Sequence, residues 1–173
     1  MQEGVILKEI SIEEVLESQN SIIVDVRTPK EYEEDHIPDS INIPIFDDDE
    51  RAIIGTLYKQ KGKEIAVKTG IEITSPKLQD FYNKYLTLSK QYNQIILYCF
   101  RGGMRSGSLV NFLNEMGLNV LKISGGYKSY RNYVLDYLEN LGMKHQFIVL
   151  HGHTGTGKTQ LLEALEEKGC CVL

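Results

Sequence analysis

The sequence is poor in cysteine and proline, with three and four of each in 173 residues. An odd cysteine count without a paired framework excludes a small disulfide-stapled secreted scaffold. Long hydrophobic runs are also missing: nothing approaches the roughly 20 apolar residues of a membrane span, and no signal-peptide core follows Met1. A cytoplasmic chain without membrane contact is expected. Positive charge is in short supply, since 19 Lys and Arg face 24 Asp and Glu for a net charge of −5. That balance disfavours non-specific nucleic-acid binding, which needs clustered cations. An RNA partner would have to meet a local patch or a surface this chain lacks. Hydrophobic content of 42% and charged content of 25% are ordinary for a soluble globular protein. The length suffices for one well-cored domain with residues to spare.

Apolar runs of strand type alternate with helical patterns along most of the chain. Ser11 to Glu14 fits a capping box that opens a short helix, and Thr28 to Glu31 repeats it with Pro29 at the first helical position. Ser21 to Val26 is a continuous apolar strand, and Ile41 to Ile45 a second one ending at Pro44. Asp47 to Glu50 places negative charge at the start of a helix running toward Lys61. Residues 62–74 carry no clear period and read as a helix end and a connection. Ser75-Pro76 opens a helix with Leu78, Phe81, Tyr82, Tyr85 and Leu86 on one face. A strand before Cys99, a helix to Met116, a strand over Asn119 to Ile123 and a helix through Leu141 follow. This alternation predicts an open parallel α/β sheet, folded from about Val5 to Leu141.

Ile95 to Ser106 concentrates the chemistry. An apolar strand delivers Cys99 to a loop, Phe100-Arg101-Gly102-Gly103-Met104, which closes on Arg105-Ser106 and runs into a helix. If the loop curls around the sulfur, its N–H groups form an anion-binding nest and the helix adds its positive dipole end. Both favour thiolate, so Cys99 reads as a nucleophile, against a buried inert cysteine as the bland alternative. Gly102 and Gly103 give the loop its torsional freedom. Arg101 is expected to meet substrate, and Arg105 either contacts an oxyanion or braces the loop on the sheet. Asp25 and Arg27 straddle a strand end and read as a structural pair, and His36, in a turn before Ile37-Pro38, as a structural histidine. Lys122, Lys128 and Arg131 surround Gly125-Gly126 as a compact basic cluster or an ordinary solvated face.

A second motif begins after residue 142. Gln146 to Leu150 reads as a strand, and Gly152-His153-Thr154-Gly155-Thr156-Gly157-Lys158-Thr159 matches the phosphate-binding pattern Gly-x4-Gly-Lys-Ser/Thr. Gly152, Gly155 and Gly157 would shape the loop, Lys158 would carry phosphate charge, and Thr159 would hold a magnesium ion. A helix from Thr159 to Lys168 closes at Gly169. His145, His151 and His153 lack the companions of a metal set, so no metal centre is expected. Cys170 and Cys171 read as strand core. The expected organisation is one domain over 1–142 and, over 143–173, the first strand, loop and helix of a truncated second domain.

These residues resemble the rhodanese-like family. Ile23 to Tyr32 and His36 to Pro44 are similar to its two structural signatures, and its active cysteine sits in a loop corresponding to Cys99 through Arg105. More narrowly, Cys99 to Ser106, Glu50-Arg51 with Gly55 to Gln60, Gly125 to Arg131 and the phosphate-binding loop resemble the bacterial tRNA 2-selenouridine synthase family. That resemblance implies a rhodanese-like fold and replacement of sulfur by selenium at the 2-position of a wobble uridine in tRNA. Selenophosphate and geranyl diphosphate are the implied substrates, with an S-geranyl intermediate and no tightly bound cofactor. Cys99 would carry selenium as a perselenide or bind it in transit, and the phosphate-binding loop would hold a diphosphate or nucleotide. The implied partners are tRNA, met mainly by a C-terminal part beyond this chain, and selenophosphate or its synthase. On this reading the fragment does not complete the tRNA reaction alone.

One departure matters. Five residues separate Cys99 from Arg105, where simple sulfurtransferase rhodaneses have four. A wider loop suits a phosphate-bearing donor, and the same spacing occurs in protein phosphatases. A phosphatase is therefore the first alternative, weakened by Tyr98 in place of the usual histidine and by the lack of a general acid near the loop. A non-catalytic module that binds a partner or nucleotide is the second.

Overall fold

The computed structural model describes residues 9–141, 148–170 and 172, and the chain divides into two compact units, Met1–Leu135 and Asp136–Leu173. In the first unit, five strands form one sheet: β1 (Glu9–Ile10), β2 (Ser21–Asp25), β3 (Ile41–Asn42), β4 (Gln94–Tyr98) and β5 (Val120–Ile123). Their order is β1-β5-β4-β2-β3, and every pairing is parallel. The helices are α1 (Ile12–Glu17), α2 (Pro29–Glu34), α3 (Asp48–Lys61), α4 (Lys63–Thr74), a 3-10 turn over Ser75–Lys77, α5 (Leu78–Ser89), α6 (Met104–Glu115) and α7 (Tyr127–Glu139), which reaches into the second unit.

Parallel strands need covering on both faces, and the side-chain alternation of β4 supplies two cores. Ile95, Leu97 and Cys99 point into one, with Phe81 and Tyr85 of α5 and Leu109, Val110 and Leu113 of α6. Ile96 and Tyr98 point into the other, with Ile12 and Val15 of α1, Ile37 and Tyr127. Each fully buried aliphatic side chain contributes roughly 1.5–3 kcal/mol of transfer free energy. Capping boxes start three helices: Ser11 with Glu14, Thr28 with Glu31, and Asp47 with Glu50. Asp25 and Arg27 form the expected structural pair, fully buried, with Arg27 Nη2 2.7 Å from Asp25 Oδ2 and the guanidinium 4.1 Å from the Tyr127 ring centroid. His36 Nδ1 lies 2.8 Å from the Tyr32 carbonyl and its ring stacks on Tyr32, also a structural placement.

Several expectations need correcting. Residues 63–74 form a helix, α4, because it packs through two small residues, Ala66 and Gly70, and so shows no broad apolar stripe. The strand at Ile41 stops at Asn42, although the N–H groups of Ile43 and Ile45 still donate to the carbonyls of Asp25 and Val26. Lys122 belongs to no solvated cluster: it is 7% exposed and paired with Glu9. Cys170 is exposed and outside any strand, while Cys171 lies outside the described residues.

In the second unit, Ile148 to Leu150 are not a strand, and Gln146 and Phe147 lie outside the described residues. The loop from Gly152 runs into α8 (Lys158–Glu167) through Gly157, whose φ of 79° takes it into the left-handed region. Among the described residues no helix is long and apolar enough to cross a membrane.

Candidate active site

From β2 the chain goes to β3 on one side of the sheet, whereas from β4 it goes to β5 on the other. Open α/β sheets bind ligands at such a switch point, beyond the carboxyl ends of the strands. Cys99 sits there, one residue past β4, and is 3% exposed. Its Sγ lies 3.2 Å from the Ser106 hydroxyl. Burial pushes the Cys99 thiol up, but the Ser106 hydroxyl and N–H, the charge of Arg105 and the Arg101 N–H outweigh it and hold the thiol below its ordinary value. The first turn of α6 has no side-chain cap, leaving backbone N–H groups free to serve an anion.

The loop is held from several sides. Gly102 takes φ 63°, and its carbonyl accepts from Lys122 Nζ at 2.8 Å. Gly126 lies against the backbone of Cys99 and Gly102, and the N–H groups of Tyr127 and Lys128 donate to the carbonyls of Cys99 at 2.9 Å and Phe100 at 3.0 Å. Arg105 braces the loop: its Nη1 is 2.8 Å from Oε2 of Glu31, the residue that also caps α2. Arg105 thus ties the loop to α2, while its charge favours the thiolate. Arg101 is exposed and forms no salt bridge among the described residues, its guanidinium 5.9 Å from the Phe100 ring centroid.

Cys99, Arg101, Gly103 and Arg105 line one end of a groove of about 1400 Å³ bounded by α3, α4 and α6. Ile54, Val67, Phe81, Leu109 and Phe112 make much of its wall apolar. The structure thus brings Cys99, Arg101, Gly102, Gly103 and Arg105 together. Ser106, Glu31 and Lys122 join them, and sequence reasoning had assigned none of these three to the site. The hydroxyl directly after Arg105 was the available signal for Ser106. Glu31 was legible only as a cap, and Lys122 only as part of a basic cluster or a solvated face.

The phosphate-loop residues form a separate group in the second unit. Gly155 and Gly157 both take positive φ, and Lys158 Nζ donates to the carbonyls of Gly152 at 2.8 Å and His153 at 2.7 Å. Thr159 is in the first turn of α8. Among the described residues no group of His, Cys, Asp and Glu could hold a metal ion.

The Rhodanese-like domain profile matches residues 11–133. The chain belongs to the rhodanese-like family. Curated relatives sharpen the likeness: it is 38% identical to a tRNA 2-selenouridine synthase of Nitrosomonas europaea, covering 81% of this chain and 37% of that protein. It is also 38% identical to the synthase of Bdellovibrio bacteriovorus, over 90% of this chain and 41% of that protein. This rhodanese-like chain therefore spans about two fifths of the length of the curated relatives it matches. Among solved structures it is similar to the N-terminal domain of a Clostridium difficile 630 protein whose name proposes ATP/GTP binding. That likeness has 50% identity and a TM-score of 0.72 over 73% of this chain and 98% of that one.

Proposed function

We propose that this chain supplies the rhodanese-like part of a tRNA 2-selenouridine synthase, with Cys99 as the catalytic thiolate. The observation that carries this reading is the buried Cys99 thiol, 3.2 Å from the Ser106 hydroxyl and lining an apolar groove, in a chain similar to synthases of that name. Selenophosphate enters the Cys99–Arg105 loop, where Arg101 and the uncapped N–H groups of α6 favour its negative charge. Selenium then replaces sulfur at the 2-position of the wobble uridine, the sulfur leaving with the geranyl group of an S-geranyl intermediate. The selenium bonds to C2 as the geranyl thiol departs, and water then takes the phosphoryl group as phosphate. Until that point the Cys99 loop keeps the donor in transit with its Se–P bond intact, and the apolar groove suits the geranyl chain. Gly152, Gly155, Gly157, Lys158 and Thr159 would receive the diphosphate of geranyl diphosphate, and the Thr159 hydroxyl would hold a magnesium ion that offsets its charge. The complete tRNA reaction also needs regions outside this chain, where most of the tRNA contacts are made.

After incubation with selenophosphate and gel filtration, wild-type protein is expected to retain selenium and Cys99→Ser to lose it. The second reading, a phosphatase, is favoured by the five-residue spacing between Cys99 and Arg105. Against it, Tyr98 is wholly buried, with its hydroxyl 3.2 Å from both the Ile37 N–H and the Ser40 hydroxyl, so the side chain serves the fold. Robust phosphate release from an aryl phosphate, abolished by Cys99→Ser, would replace the transferase reading with that one.

A further inference from the structure

We infer that Lys122 is a positioning residue for Cys99, fixing the Gly102–Gly103 peptide so that the loop presents its N–H groups to the sulfur. Lys122 is a buried lysine on β5, behind the loop. Its Nζ donates to the Gly102 carbonyl at 2.8 Å and pairs with Oε1 of Glu9 at 2.7 Å. Glu9 lies directly opposite it in the β1–β5 register and also accepts from the Ser124 hydroxyl at 2.6 Å. The ammonium is thus held by the sheet and holds the loop.

A trans peptide is a rigid plane whose C=O and N–H point in opposite directions. Securing the Gly102 oxygen on Lys122 therefore commits the Gly103 N–H to the other side. Gly103 lines the groove with Cys99, whereas Gly102 and Lys122 do not. Two successive glycines leave this peptide free to rotate unless something holds it. Gly103 is also the N-cap of α6 and has no side-chain hydrogen bond of its own. The same peptide consequently sets the entry into the helix whose Ser106 N–H supports the thiolate.

The inference requires Cys99 to be a reactive thiolate and is indifferent to what it transfers, so selenium retention and this test fail separately. The measurement is the pH dependence of Cys99 alkylation, read by peptide mass spectrometry with exposed Cys170 as the internal reference. In Lys122→Met the Cys99 midpoint is expected to rise by about one pH unit, a tenfold lower thiolate fraction below it, with Cys170 unchanged. Lys122→Arg, which keeps a cationic donor, is expected to restore most of the shift. A folded Lys122→Met with the wild-type Cys99 profile would overturn the inference. Should that variant not fold, Glu9→Gln decides: it weakens the anchor of Lys122 but leaves its ammonium for Gly102. A smaller rise of the Cys99 midpoint is expected there, with Cys170 unchanged, and an unmoved midpoint in a folded Glu9→Gln would overturn the inference.

Discussion

At the scale of single residues, Glu31 joins local structure to chemistry, because one carboxylate caps α2 and anchors Arg105. Burial pushes its carboxyl up. The hydrogen bond and charge of Arg105, helped by the Thr28 N–H and Arg27, outweigh burial and hold it below its ordinary value of 4.5. A carboxyl with a depressed folded-state pKa stabilises the fold above its unfolded value, and that contribution is lost as pH falls through the folded value. Glutamine can still complete a capping box, so Glu31→Gln removes the ion pair and spares the cap. The pair is partly exposed, and the variant is expected to lose about 1 kcal/mol near neutral pH. Urea midpoints of the two proteins should converge once the pH drops well below about 4.5. A gap that persists in acid would mean the loss came from packing. The pair spans 74 residues of sequence, which is why Arg105 could be narrowed to two roles from its neighbours but not assigned between them.

At the scale of elements, the β5–α7 turn is the rear wall of the Cys99 loop. Gly126 takes φ 62°, and a Cβ there would come within 2.1 Å of the Cys99 carbonyl oxygen and 2.5 Å of the Gly102 nitrogen. Both obstacles are backbone and neither can turn aside. Gly126→Ala is therefore expected to cost more than the roughly 1–2 kcal/mol of the left-handed conformation alone, and to slow Cys99 alkylation. Gly107 is the opposite case, interior to α6 with nothing within 4 Å of an added Cβ. Gly107→Ala should stabilise by about 0.5–1 kcal/mol, and urea denaturation of the two variants would show shifts of opposite sign. The parallel sheet, the capped helices and the Cys99 loop were legible because each has a local signature: an apolar run, a cap or a glycine pair. The α4 helix was not, since its packing through Ala66 and Gly70 gives close contact without an apolar stripe. The two-residue strand β1 was not legible either, since its identity lies in its pairing with β5. The burial of Lys122 follows from that same pairing, so strand propensity alone could not distinguish it from the exposed Lys128.

At the scale of the whole molecule, the described residues that contact Cys99 and its loop belong to the first unit. The sheet runs from Glu9 to Ile123, both cores draw only on residues up to Tyr133, and the rhodanese-like match ends at 133. The phosphate-loop residues are more than fifty positions beyond Cys99 and close on themselves through Lys158. A chain ending after Leu141 is therefore expected to keep the urea midpoint and the Cys99 alkylation profile of the longer one, within about 0.5 kcal/mol. The same shortening should abolish binding of a diphosphate probe, as should Lys158→Ala in the intact chain, which would leave Cys99 alkylation untouched. Calorimetric titration with inorganic diphosphate, run beside the alkylation assay on all three proteins, separates the two functions. A Cys99 profile that moves when residues 142–173 are removed would show that the second unit helps to set the thiolate. An unmoved profile would establish that the nucleophile and the phosphate loop are built independently in one chain.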